Sequence, residues 1–199
     1  MICAVVLAAG LSRRMGVQKL LLPFGGKTVI VHIVDQLLAS NVDEIHVVVG
    51  HKAESISAEL SCRSIYIVNN PNYKSGMLSS VRCGLQNLSE NCRAVLVVLG
   101  DQPSITTELI DQMLQTFATT EKSILVPLYQ GKRGHPILFS TQYRDEILTQ
   151  YGDVGLRGVL HCHPDDIHEL VVSDASVLCD MDYPEDYQRE LGSNEQHIE

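Results

Sequence analysis

The chain has 199 residues, 45% of them apolar and 20% charged, the balance of a globular protein able to bury a substantial core. No apolar run approaches the roughly 20 residues needed to cross a bilayer, so a membrane is not an expected partner. The formal net charge of −9 argues equally against general nucleic-acid binding.

The charge is unevenly placed. Residues 1–34 contain no Asp or Glu, yet hold Arg13, Arg14, Lys19 and Lys27; from residue 165 onward carboxylates abound with a single arginine. A cationic stretch in an acidic protein suits a small anionic ligand, although a solvated face would also produce it. Six scattered cysteines without a C-x-x-C pair read as free thiols, which makes the cytoplasm the expected compartment.

In chain order, residues 2–8 form an uninterrupted apolar run, the pattern of a strand buried on both faces. The run starts at once and has no basic n-region, unlike a secretory signal. Val29, Ile30, Ile33, Val34, Leu37 and Leu38 recur with helical period. Strands are predicted at 44–49, 64–68 and 94–99, and helices at 53–60, 78–88 and over Leu109–Phe117. Strands alternating with helices of this length imply βαβ units and a mostly parallel sheet.

The second half is less regular. Segments 124–128 and 136–139 flank residues 129–135, a hairpin or a substrate loop. A helix capped by Ser140 is predicted at 141–149, a turn at 152–155, strands at 167–172 and 177–178, and a helix at 184–191. Without repeats or linkers, one domain over 1–191 and a disordered tail at 192–199 are expected.

Strand 2–8 runs into Ala8-Ala9-Gly10-Leu11-Ser12-Arg13-Arg14-Met15-Gly16, then Lys19. Small residues let backbone N–H groups approach a ligand, and the end of a parallel strand is where such sheets bind one. The spacing excludes a Walker A loop, because Gly16 precedes Val17-Gln18, and excludes G-x-G-x-x-G. The string LAAGLSRRMGVQKLLLPFGGKTVI resembles the opening of the nucleotidyltransferase superfamily in its molybdenum-cofactor branch, the MobA-like NTP transferases. That family carries a strand followed by LAAG-x-S-x-R-M-G-x-x-K. The resemblance implies a Rossmann-like three-layer α/β fold of the glycosyltransferase-A-like kind. It implies nucleotide binding by Leu7, Ala8, Ala9 and Gly10, with Arg14 and Lys19 on the phosphates. Ala8-Ala9 is similar to cytidylyl members, whereas guanylyl members more often carry Ala-Gly-Gly.

Further segments match the family pattern. Gly100-Asp101-Gln102-Pro103 ends the predicted strand 94–99 with a carboxylate suited to Mg²⁺, or with a simple turn. The segment from Asp180 to Tyr187 resembles D-x-D-x-P-E-D-Y, which implies Asp182 as second metal ligand, with Asp180 the fallback. Glu185 and Asp186 fall in a first helical turn, where capping is the expected role. The stretch Asn70 to Ser80 resembles N-P-x-(aromatic)-x-x-G-M-x-S-S, which implies Ser80 beside the base, with Tyr73 where Trp is usual. Arg133-Gly134-His135-Pro136 and the G-D-x-G-x-R loop at 152–157 resemble acceptor-facing elements, which implies acceptor binding by His135 and Arg157. His161-Cys162-His163 lacks a second ligand pair at zinc-like spacing.

The resemblance implies transfer of CMP from CTP to the phosphate of molybdopterin, with Arg14, Lys19, Asp101, Asp182 and Mg²⁺ as the catalytic set. The product would pass to a molybdoenzyme. A sugar or polyol phosphate as acceptor, GTP as donor, and a catalytically silent accessory protein for a molybdoenzyme are the alternatives.

Overall fold

The computed structural model describes residues 1–152 and 154–195; Asp153 of the predicted turn and the last four residues of the predicted tail lie outside the described residues. β1 (Ile2–Ala8) is the uninterrupted apolar run, and both its faces are covered. Ala4, Val6 and Ala8 enter one core layer, Cys3 and Val5 the other, the alternation a strand imposes. A small hairpin follows, β2 (Pro23–Phe24) and β3 (Lys27–Thr28), turned by Gly25 and Gly26 at φ 55° and 78°. This turn escaped the sequence reading, although two adjacent glycines are a hairpin signal.

Next come α1 (Val29–Ala39), β4 (Glu44–Val49), α2 (Ala53–Glu59), β5 (Tyr66–Asn69) and α3 (Met77–Gln86). β6 (Ala94–Leu99) is buried along its whole length and leads to α4 (Thr107–Thr119). β7 (Ile124–Tyr129) and β8 (Lys132–Arg133) form a hairpin through Gln130 and Gly131, at φ 46° and 77°. Residues 129–135 are thus the hairpin of the two predicted alternatives. β9 (Ile137–Ser140) follows, and the Ser140 hydroxyl accepts from Gln142 N at 3.3 Å, so the cap forms where predicted. The helix it starts opens as a 3-10 turn over Thr141–Tyr143 and becomes α5 (Arg144–Thr149).

α6 (Arg157–Cys162), β10 (Ile167–Val171) and α7 (Pro184–Glu195) complete the chain order. α6 was not predicted: six residues with a glycine are too short to show a period. Residues 177–178 are not a strand but the end of a 3-10 turn, Ala175–Leu178. The Asp174 carboxylate accepts from Ser176 N at 2.9 Å and holds the backbone in that turn. α7 runs to Glu195, so residues 192–195 continue the helix where the tail was expected to begin.

The strand order is β10-β7-β9-β6-β1-β4-β5, with β8 paired to β7. β6, β1, β4 and β5 are mutually parallel, as are β7 and β10, while β9 runs antiparallel to β6 and β7. Apolar side chains of α1, α2 and α4 cover one face, and those of α3, α5 and α6 the other, giving three layers. The parallel run β6-β1-β4-β5 matters most, because it delivers four successive loops to one edge. Among the described residues, no helix is long and apolar enough to cross a membrane.

Gly84 sets how closely α3 approaches that sheet. A Cβ there would collide with Val5 and lie 3.2 Å from Val48 Cγ2. Gly84→Ala gains about 1 kcal/mol of helix propensity but overpacks a buried contact at a cost of about 1–3 kcal/mol. The net is a loss of about 1 kcal/mol, a fall in Tm of about 2–4 °C. Thermal unfolding checks this, and a raised Tm would show that propensity wins.

Candidate functional site

The loop leaving β1 is shaped by one buried amide. Gln18 is only 5% exposed. Its Nε2 donates to Gly10 O at 3.2 Å and His51 O at 3.3 Å, and its Oε1 accepts from Ser12 Oγ at 2.7 Å. Ser12, at φ 49°, in turn accepts from Lys19 N at 3.3 Å. The loop is therefore folded back on itself with Lys19 at its root. Sequence reasoning passed over Gln18, since a glutamine inside a loop carries no signal of burial.

β6 brings the first carboxylate. Gly100 N donates to Leu7 O at 3.1 Å, and a Cβ at Gly100 would stand 2.7 Å from that oxygen. Only glycine permits this approach, which places Asp101 beside the β1 loop. The second carboxylate comes from the far end of the chain. Met181 is fully buried and its N–H donates to Asp101 O at 3.1 Å, which fixes the segment against the tip of β6. The flanking Asp180 and Asp182 both line the cleft. Asp186 accepts from the N–H groups of Asp182 and Tyr183 at 3.1 and 2.8 Å, capping α7.

These pieces meet at Lys19. Its Nζ lies 2.5 Å from Asp101 Oδ2 and 3.1 Å from Asp182 Oδ1. Arg14 Nη1 bonds the other oxygen of Asp182, and its guanidinium lies 5.6 Å from the centre of the Tyr183 ring. Burial works against charge on Lys19, yet Asp101 and Asp182 outweigh it and hold its pKa above the ordinary lysine value. Burial pushes the Asp101 carboxyl above the usual range; Lys19 opposes this, while Asp180 and Asp182 add to it. Two carboxylates face one point, and a third stands near. Among the described residues, no group of three or more His, Cys, Asp or Glu side chains is arranged to hold a metal. Two hard oxygen donors suit a divalent cation that takes its remaining ligands from phosphate and water.

The cleft around them has a volume of about 510 Å³. Of the predicted residues, Leu7, Ala9, Gly10, Arg14, Lys19, Ser80, Asp101 and Asp182 line it. Ala8 does not; it is fully buried in the core at the end of β1. Ser80, in the first turns of α3, is held by Asn70, whose Nδ2 donates to the hydroxyls of Ser79 and Ser80 at 3.0 Å each. Asn70 is 2% exposed and is a second buried amide that the sequence did not reveal. Tyr73, Met77 and Leu11 add apolar lining.

His135 and Arg157 are not in the cleft lining. The charges of Arg157 and of Asp180, which lines the cleft, both act on His135. Among the described residues, His135 Nδ1 is buried without a hydrogen-bond partner. Burial, then the Arg157 charge, push its pKa down to about 4. His163 bonds Glu146 at 3.0 Å, and all six cysteines are free.

Three comparisons place this geometry among known proteins. A family model described as the MobA-like NTP transferase domain matches residues 4–168. The chain is 28% identical over 185 residues to the molybdenum cofactor cytidylyltransferase of Escherichia coli K12, covering 92% of each. It is 29% identical over 197 residues to the nicotine blue oxidoreductase of Paenarthrobacter nicotinovorans, covering 96% of each. The crystal structure of Rv0371c from Mycobacterium tuberculosis H37Rv superposes with a TM-score of 0.86 at 29% identity, over 96% of this chain and 97% of that one. Its complex with manganese superposes with a TM-score of 0.82 at 28% identity, over 96% and 98%.

Two outcomes follow from the site's geometry. Gln18→Ala strands the Gly10 and His51 carbonyls, so denaturant unfolding should show a loss of about 1–3 kcal/mol; an unchanged midpoint would mean the amide does not hold the loop. The His135 ring should titrate near pH 4 by NMR, and Arg157→Ala should raise that value. Because the folded state resists protonation, His135 makes stability fall as pH drops from about 6.5 toward about 4. Titration at the ordinary histidine value would contradict this.

Proposed function

The chain belongs to the MobA-like NTP transferase family, and from that premise we propose that it transfers CMP from CTP to the phosphate of a molybdopterin-type acceptor, releasing pyrophosphate. The observation that carries this reading is the meeting of Lys19 and Arg14 with Asp101 and Asp182 at the rim of β1 and β6. The likeness to the E. coli cytidylyltransferase over nearly its full length supports it.

The triphosphate lies over the loop from Ala9 to Lys19, with the base toward Ser80 and Tyr73. Ala9 lines that end of the cleft, and its methyl faces Gly50. The donor is CTP because Ala8-Ala9 is similar to the cytidylyl members of the family, whereas guanylyl members more often carry Ala-Gly-Gly. An acceptor phosphate oxygen attacks the α-phosphorus, the bond to the bridging oxygen breaks, and pyrophosphate departs with the electron pair. The acceptor phosphate is already ionised near neutral pH, so no protein base has to remove a proton.

Lys19 and Arg14 offset the charge that grows on the leaving group, and the buried surroundings of Lys19 strengthen that effect. Asp101 and Asp182 would hold Mg²⁺, which supplies further neutralisation of phosphate charge when bound; the manganese complex of Rv0371c supports a divalent cation. His135 and Arg157 face the acceptor side, Arg157 matching its phosphate and neutral His135 offering an uncharged contact. Residues 1–191 work as one nucleotidyltransferase domain in the cytoplasm, the product passing to a molybdoenzyme.

The nicotine blue oxidoreductase is as similar as the cytidylyltransferase, so identity does not choose between their chemistries. The paired charges favour the transferase reading. Two carboxylates and two cations at one point answer the needs of a polyphosphate and its metal.

Pyrophosphate release measured with CTP, GTP and ATP, with and without molybdopterin, tests the reading. Release should require CTP and the acceptor together, and Asp101→Asn should lower the rate at least about 100-fold with the fold intact. Tight CTP binding without turnover, or near-normal activity of the variant, would overturn it.

A further inference from the structure

Lys19 stands where it serves two masters. The proposed reaction assigns it to the triphosphate, yet its ammonium lies between the two carboxylates assigned to the metal, 2.5 and 3.1 Å from their oxygens. We propose that Lys19 is a cation placeholder: its ammonium and the divalent cation occupy the same place between Asp101 and Asp182, and the metal enters as the nucleotide draws Lys19 away. This rests on reading the cleft as a nucleotidyl-transfer site.

Local charge makes exchange the natural outcome. Lys19 and Arg14 match Asp101 and Asp182 one for one. A divalent cation approaching that neutral set gains little unless an ammonium leaves. A triphosphate offers the departing ammonium a new partner, and the carboxylates, each then facing the metal, are never buried uncompensated. That sequence avoids the large cost of an unpaired charge.

The groups that move and the groups that stay are also distinguishable. The lysine backbone is tethered through its N–H to Ser12 Oγ, so the swing falls to its flexible four-carbon stem. The Arg14 side chain is 61% exposed, so water can replace its bond to Asp182 when it turns toward a phosphate. By contrast, Met181 pins the backbone of Asp101, and Asp186 pins that of Asp182. The carboxylates stay fixed while the cations change partners. Nucleotide and metal therefore bind with positive coupling, which by reciprocity each confers equally on the other.

Electron paramagnetic resonance of Mn²⁺ added to nucleotide-free protein reads this directly. Lys19→Met should bind Mn²⁺ at least about tenfold more tightly than wild type, within the usual range of such couplings. Equal or weaker binding would overturn the proposal. Should the variant not fold, wild-type crystals soaked in Mn²⁺, with and without a non-hydrolysable CTP analogue, give the same answer by anomalous scattering. The exchange requires a peak between Asp101 and Asp182 only with the analogue, and Lys19 Nζ displaced. A peak there in both crystals with Lys19 unmoved removes the exchange but leaves the nucleotidyl-transfer reading standing. No analogue in the cleft removes both.

Discussion

A carboxylate buried at a strand tip must be neutralised, and the active end of this protein is organised around that need. Asp101 sits at the close of a strand buried along its whole length, where an unpaired charge is costly. Lys19 answers it from the loop after β1, and Asp182 and Arg14 complete the set. Asp101 and Lys19, the less exposed pair, would each be costly alone. Together they create a concentrated, well-ordered field at the mouth of the cleft, the kind of preorganised environment in which phosphate chemistry proceeds without a protein nucleophile.

The fold supplies the geometry by parallel pairing. With β6, β1 and β4 aligned in register, the loops after all three emerge on one edge. The absence of a side chain at Gly100 closes the last gap between two of them. Buried amides then stiffen the loops: Gln18 ties the loop after β1 to the loop after β4 through Gly10 and His51, and Asn70 ties the loop after β5 to the serines of α3. The far end of the chain contributes by an apolar anchor, Met181, whose burial forces its acidic neighbours upward.

Much of this was legible in the sequence, for definite reasons. β1 and β6 are unbroken apolar runs with the boundaries found, 2–8 and 94–99, because strands covered on both faces leave no room for a polar residue. The convergence of residues 14, 19, 101 and 182 followed from recognising a long composite motif; spacing alone does not bring together positions up to 168 residues apart. What stayed hidden was local and polar. The burial of Gln18 and Asn70 depends on backbone oxygens and hydroxyls that only the folded loop presents. The strand expected at 177–178 failed because two apolar residues cannot outweigh an aspartate that bonds its own downstream N–H. Strand alternation turns the Ala8 side chain into the core, so the contact with a nucleotide that the motif implies for Ala8 falls to its backbone.

The central claim is that the turn after β1 and two distant aspartates meet on one triphosphate. A crystal structure with a non-hydrolysable CTP analogue and Mg²⁺ tests it most directly. The phosphates should lie over residues 9–19, bonded by Arg14 and Lys19, with the metal shared between them and the carboxylates of Asp101 and Asp182. A nucleotide seated in another groove, or a triphosphate pointing away from those aspartates, would contradict it.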